Sequence, residues 1–114
     1  MSAPIADAQA LVRTERKHTS TEQGPTPDID AVRTQIEQID LQLIGLIAQR
    51  VRHGRELGRA KRALLLPVLD PAREASVVRR AGELAREAGL SPEDVREIFW
   101  HLIGLSRRAQ QEDL

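Results

Sequence analysis

The chain contains no cysteine. That excludes a disulfide framework, a thiolate nucleophile and a Cys-ligated metal, and it fits a reducing cytoplasm. It also lacks net charge: Lys plus Arg and Asp plus Glu number 17 each. A domain built to neutralise phosphate backbones carries a basic excess, so nucleic acid is not the expected partner. There is no N-terminal apolar core of a secretory signal, and no apolar run approaches membrane-spanning length. The expectation is a soluble, cytoplasmic protein without a membrane partner. No period-two alternation marks a strand. No phosphate-cradling glycine loop or dinucleotide fingerprint occurs, so no cofactor is expected. At 114 residues, the chain makes one domain.

What is present is helical periodicity. Residues 1–28 read as a disordered tail, polar and broken by prolines in "TSTEQGPTPD". From Ile29 the residues Val32, Ile36, Ile39, Leu43, Leu46, Arg50, His53 and Leu57 follow in alternating steps of three and four, a heptad seam. No proline falls between Pro27 and Pro67, and Asp28 or Asp30 can cap the start. This predicts one helix of nearly forty residues, on the order of 55 Å long. The rest of one chain cannot cover a helix of that length, which predicts a homodimer. Gly45, Gly54 and Gly58 lie inside it, where close backbone approach would explain them.

Two shorter helices follow. One starts at Asp70-Pro71 and stops before Gly89; the other starts at Ser91-Pro92 with Asp94 in its first turn. The predicted fold class is all-α, three helices per chain (one very long, two shorter) in a helical homodimer. The helical domain spans 29–111, with 112–114 as a C-terminal tail.

The segment "QRVRHGRELGRAK" (49–61) concentrates five cations. At about 100° per residue, Arg52, Arg55, Arg59 and Arg62 fall opposite the seam and read as a solvated face. Arg50 and Lys61 fall on the seam itself. A charge on an apolar seam must be paired, either by the chain's own acids or by a ligand. The other helices show matching polar interruptions. Glu74 extends the second helix's stripe backwards, with Arg73 beside it and Asp70 one turn earlier; Ser106 and Gln110 extend the third helix's stripe forwards. Arg50, Lys61, Arg73, Glu74, Ser106 and Gln110 are therefore expected to line one cationic pocket, whose natural guest is a small dicarboxylate. Ser106 has no histidine three or four residues away on its helix, so no catalytic triad is supported. His53 and His101 lack a second ligand at metal spacing and read as packed or surface residues, so no metal is expected.

These residues lie in "VRTQIEQIDLQLIGLIAQR", "GRAK", "PVLDPARE" and "GLSRRAQQ". Together, from about Ile29 to Gln111, they resemble the all-helical (type II) class of chorismate mutases. That family rearranges chorismate to prephenate in the shikimate pathway of aromatic amino acid biosynthesis, with neither covalent intermediate nor cofactor. The resemblance implies that Arg50 and Arg73 grip the substrate carboxylates with Ser106 assisting. Lys61 and Gln110 would donate to the breaking ether oxygen. Glu74 would accept from the ring hydroxyl, with Asp70 beside it, and Arg33 would reach the site of the partner chain. Leu57 stands near the substrate ring where a smaller residue is common, and Leu105 stands where an acid is common; both are expected to reshape the pocket.

Relatives acting on 4-amino-4-deoxychorismate form the alternative. The Arg-Glu pair of "AREA" argues against an isochorismate-pyruvate lyase. A non-catalytic helical partner protein is the rival from another class. The same fold occurs as a subunit that depends on the first shikimate-pathway enzyme, which is thus a partner the resemblance implies. Gln110 and the short "PVLDPARE" link instead suggest a self-sufficient site.

Overall fold

A computed structural model describes residues 24–112 as three helices. The expectation of a disordered segment over 1–23 lies outside the described residues. Helix α1 spans Ile29–Ala63, α2 Pro71–Glu87 and α3 Pro92–Glu112. No strand occurs among the described residues, as the missing period-two pattern implied.

The helix starts are set by short polar side chains. The Asp28 carboxylate accepts from the Asp30 amide at 3.0 Å, Asp70 from the Arg73 amide at 3.1 Å and Ser91 from the Asp94 amide at 3.2 Å. Each satisfies one donor that the first turn leaves open. Helix α2 ends in a Schellman turn: Gly89 takes φ 75° and the Leu90 amide reaches back to the Ala85 carbonyl at 2.9 Å.

Helix α1 is 35 residues long, shorter than the spacing predicts, because it does not run on to Pro67. The Leu66 amide bonds the Lys61 carbonyl at 2.8 Å and the Leu65 amide bonds that of Arg62 at 3.1 Å. This is the same turn that Gly89 makes after α2, but built with Leu65 at φ 58°. A Cβ in that region costs about 1–2 kcal/mol. The turn therefore carried no glycine signal in the sequence. It folds residues 64–70 back toward the last turns of α1.

Helix α3 packs against both α1 and α2. The core is made mostly of small residues: Val78, Ala81 and Ala85 of α2 with Ala109 and the larger Ile103 of α3. On the α1 side, glycine provides the closeness. A Cβ added at Gly54 would lie 3.3 Å from the Ser106 Cβ, and one at Gly58 would lie 3.2 Å from the Gln110 Cγ. Gly45 has nothing within 4 Å of such a Cβ, so close approach accounts for two of the three helix glycines.

Docking on the Gly54–Gly58 side has a consequence for the outer arginines. Arg62 is half-buried and donates to the Gln110 carbonyl at 3.2 Å. The assignment of Arg62 to a purely solvated face is thereby corrected. Arg55 is half-buried as well, whereas Arg52 and Arg59 are exposed. The reason is angular: α3 sits about 40–80° round from Arg50, so residues at about 120–140° become its flank. The N-terminal half of the seam is uncovered in the single chain, with Ile36, Ile39, Leu43 and Leu46 each about half exposed.

Candidate active site

The last turns of α1, the link, the start of α2 and the end of α3 enclose a cleft of about 540 Å³. Arg50, Leu57 and Lys61 enter it from α1, Asp70, Arg73 and Glu74 from α2, and Ser106, Arg107 and Gln110 from α3. Four cations against two acids leave these side chains a formal +2. The physical cause of the convergence is that each helix replaces apolar stripe positions with polar ones at the same level.

Arg50 is half-buried. Its Nη1 donates to the Ser106 hydroxyl at 2.8 Å and to the Leu102 carbonyl at 3.4 Å. Both acceptors are neutral. Loss of solvent lowers the guanidinium pKa from its ordinary value, yet an arginine stays charged at any working pH. Ser106 is the one buried polar side chain among the described residues, fixed between Gly54 and Arg50. Among the described residues, Arg50 forms no internal salt bridge.

Lys61 donates from Nζ to the Val68 carbonyl at 3.1 Å. Three ammonium protons with one taken leave two for a guest. Gln110 packs its Cβ and Cγ against Gly58 and lines the cleft. Asp70 spends one carboxylate oxygen on capping α2. Arg73 is exposed at the cleft mouth.

Glu74 is held by a residue that the periodicity reading did not single out. Arg107 donates from Nε to Glu74 Oε2 at 3.2 Å and from Nη2 to Oε1, a fork-to-fork pair. Phe99, Ile103 and Arg107 form a row of steps of four on α3, which places Arg107 beside the stripe but does not show that it meets Glu74. His53 lies at the rim, exposed, with Nδ1 3.0 Å from Glu56 Oε1.

Arg33 does not join the cleft of its own chain. It is exposed and lies seventeen residues before Arg50, about 25 Å along the same helix. Leu57 lines the cleft. Leu105 does not, being turned outward and 37% exposed; its expected effect on pocket shape is corrected on that ground. It falls about 200° round α3 from Arg107, which lines the cleft, and so on the opposite flank of Ser106. No cluster of three potential metal ligands exists among the described residues. None of their helices is long and apolar enough to cross a membrane.

A family profile described as "Chorismate mutase type II" matches residues 32–111. The "Intracellular chorismate mutase" of Mycobacterium tuberculosis is 32% identical over 63 residues, covering 55% of this chain and 60% of that protein. The "Chorismate mutase" of Methanocaldococcus jannaschii is 29% identical over 83 residues, covering 73% of this chain and 84% of the other. The "T-protein" of Enterobacter agglomerans is 31% identical over 72 residues, covering 63% of this chain. The chain spans only 19% of the length of that T-protein. No solved structure gives a significant match.

Proposed function

Because the chain belongs to the chorismate mutase type II family, we propose that its cleft catalyses the [3,3] rearrangement of chorismate to prephenate. The observation that carries this reading is a half-buried Arg50 whose partners among the described residues are all neutral, facing the same cleft as Lys61, Arg73 and Gln110. Such a site is short of negative charge, and a dicarboxylate supplies it. The reaction breaks an ether C–O bond as a C–C bond forms, within one molecule and with no proton transferred. The protein's task is to hold the dianion in its reactive shape and to meet the charge growing on the ether oxygen.

Arg50, steadied by Ser106, and Arg73 take the carboxylates. Lys61 and Gln110, one from each of two packed helices, donate to the ether oxygen. Glu74 is left to face the ring substituent that is not a carboxylate, with Asp70 beside it. Purified protein is expected to convert chorismate to prephenate in a side-by-side assay with 4-amino-4-deoxychorismate and isochorismate. Turnover of isochorismate alone, or of none of the three, would refute the reading. The printed name of the mycobacterial relative supports an intracellular location.

The uncovered half of α1 supports a second part of the reading: two copies pair along it, and Arg33 of each completes the cleft of the other. Its apolar residues recur at heptad spacing and stand about half exposed in the single chain, which is what a two-chain seam supplies. Arg33→Ala and Lys61→Ala proteins, each nearly inactive, test this when unfolded and refolded together. A mixed dimer has one site with both residues intact and one with neither. Random reassortment then restores about a quarter of wild-type activity per chain. If the mixture stays as inactive as its components, Arg33 acts elsewhere.

A further inference from the structure

We propose that Arg107 is the residue that sets which ring substituent the cleft accepts, holding Glu74 in a neutral ion pair that favours a hydroxyl over an ammonium group. The inference rests on the function proposed above and concerns the same site.

Glu74 is the half-buried acid of the cleft; Asp70 is exposed and caps α2. The cations Arg50, Arg73 and Lys61 claim the carboxylates and ether oxygen of a dianion, so any other ring substituent falls to Glu74. Had Glu74 stood alone, it would attract a cationic substituent. It does not stand alone. Arg107 meets both carboxylate oxygens from Nε and Nη2, and the two side chains keep only 20% and 38% of their exposure. Glu74 is mostly withdrawn from water, so its pair with Arg107 is screened less than a pair between two exposed side chains.

To a neutral hydroxyl the pair still presents free lone pairs, because a carboxylate accepts about four hydrogen bonds and Arg107 uses two. To an ammonium it presents a carboxylate already neutralised and a guanidinium within a few ångströms. Discrimination by a repulsive group is as effective as discrimination by an attractive one. Arg107 is thus a positioning and specificity residue acting through Glu74.

The test compares kcat/KM for chorismate and 4-amino-4-deoxychorismate, whose amino substituent is protonated at neutral pH, in five proteins. Wild type is expected to prefer chorismate. Arg107→Met is expected to move the ratio toward the amino substrate on the order of ten- to a hundredfold. Arg107→Lys, which keeps the charge without the fork, is expected to keep the ratio near wild type. In a Glu74→Gln background the Arg107→Met shift is expected to shrink toward nothing, since no carboxylate remains to be released. A merely structural Arg107 would lower both substrates together and leave the ratio fixed.

An unchanged ratio in Arg107→Met overturns the proposal while leaving the mutase reading intact, as does a wild type that prefers the amino substrate. A wild type inactive on both substrates removes the mutase reading and this inference with it. If Arg107→Met does not fold, Arg107→Gln is measured by the same ratio.

Discussion

Lys61→Ala is expected to lower kcat/KM for chorismate on the order of a thousandfold, with most of the loss in kcat. Negative charge accumulates on the ether oxygen only as its bond to carbon breaks. A donor aimed at that oxygen therefore binds the transition state more strongly than the substrate. Lys61 is suited to this by what it does not do. Among the described residues its one hydrogen bond goes to the Val68 carbonyl at 3.1 Å, a neutral acceptor, and it forms no ion pair. That bond also anchors the link folded back by Leu65. Lys61→Ala accordingly removes a charge and a tether, and the two losses separate by measurement. Removal of the charge lowers kcat. A loosened link raises KM and leaves the helical signal in circular dichroism intact. Lys61→Gln, which keeps a neutral donor on a side chain one bond shorter, is expected to recover part of KM and little of kcat. A Lys61→Ala protein within tenfold of wild type would show that the ether oxygen is met elsewhere.

How far the sequence carried is seen in what each residue depends on. The seam of α1 and the caps at Asp28, Asp70 and Ser91 are local patterns, and local patterns survive folding. Arg50, Lys61, Glu74, Ser106 and Gln110 were legible as polar breaks in apolar stripes, because a helical stripe fixes direction wherever the helix is finally placed. Three features were not legible. Leu65 adopts a left-handed backbone without the glycine that normally announces one, so α1 stops before Pro67. Arg62 contacts Gln110 because α3 settles on the Gly54–Gly58 side of α1, an angle set by packing between distant segments. Arg107 sits one residue past the stripe position Ser106, and its inward reach depends on Glu74 standing opposite on another helix. What a single helix determines was readable; what two helices determine together was not.

Arg50→Met is expected to abolish activity, with kcat/KM down on the order of a thousandfold, while leaving Tm equal to or above that of the wild type. The two halves have one cause. Burial lowers the Arg50 pKa, which for a cation means that the folded protein holds its proton less favourably than the unfolded chain does. The resulting cost to folding is present at every pH below the ordinary arginine value, hence across any assay range. It brings no titration there. Its partners, the Ser106 hydroxyl and the Leu102 carbonyl, are neutral and return only part of that cost. A methionine of similar length fills the place without a charge to desolvate. Ser106, left without Arg50, can turn its hydroxyl to the carbonyl four residues back, that of Leu102. The free protein therefore tolerates the change, and the loss appears only with ligand. A substrate carboxylate supplies the missing counter-charge, so prephenate is expected to raise the Tm of wild type by mass action and to leave that of Arg50→Met unmoved. A marked fall in Tm of the unliganded variant would make Arg50 a structural tie between α1 and α3. Retained turnover would end its assignment to the substrate. The cleft on this account is kept slightly unstable by a charge that only its substrate completes.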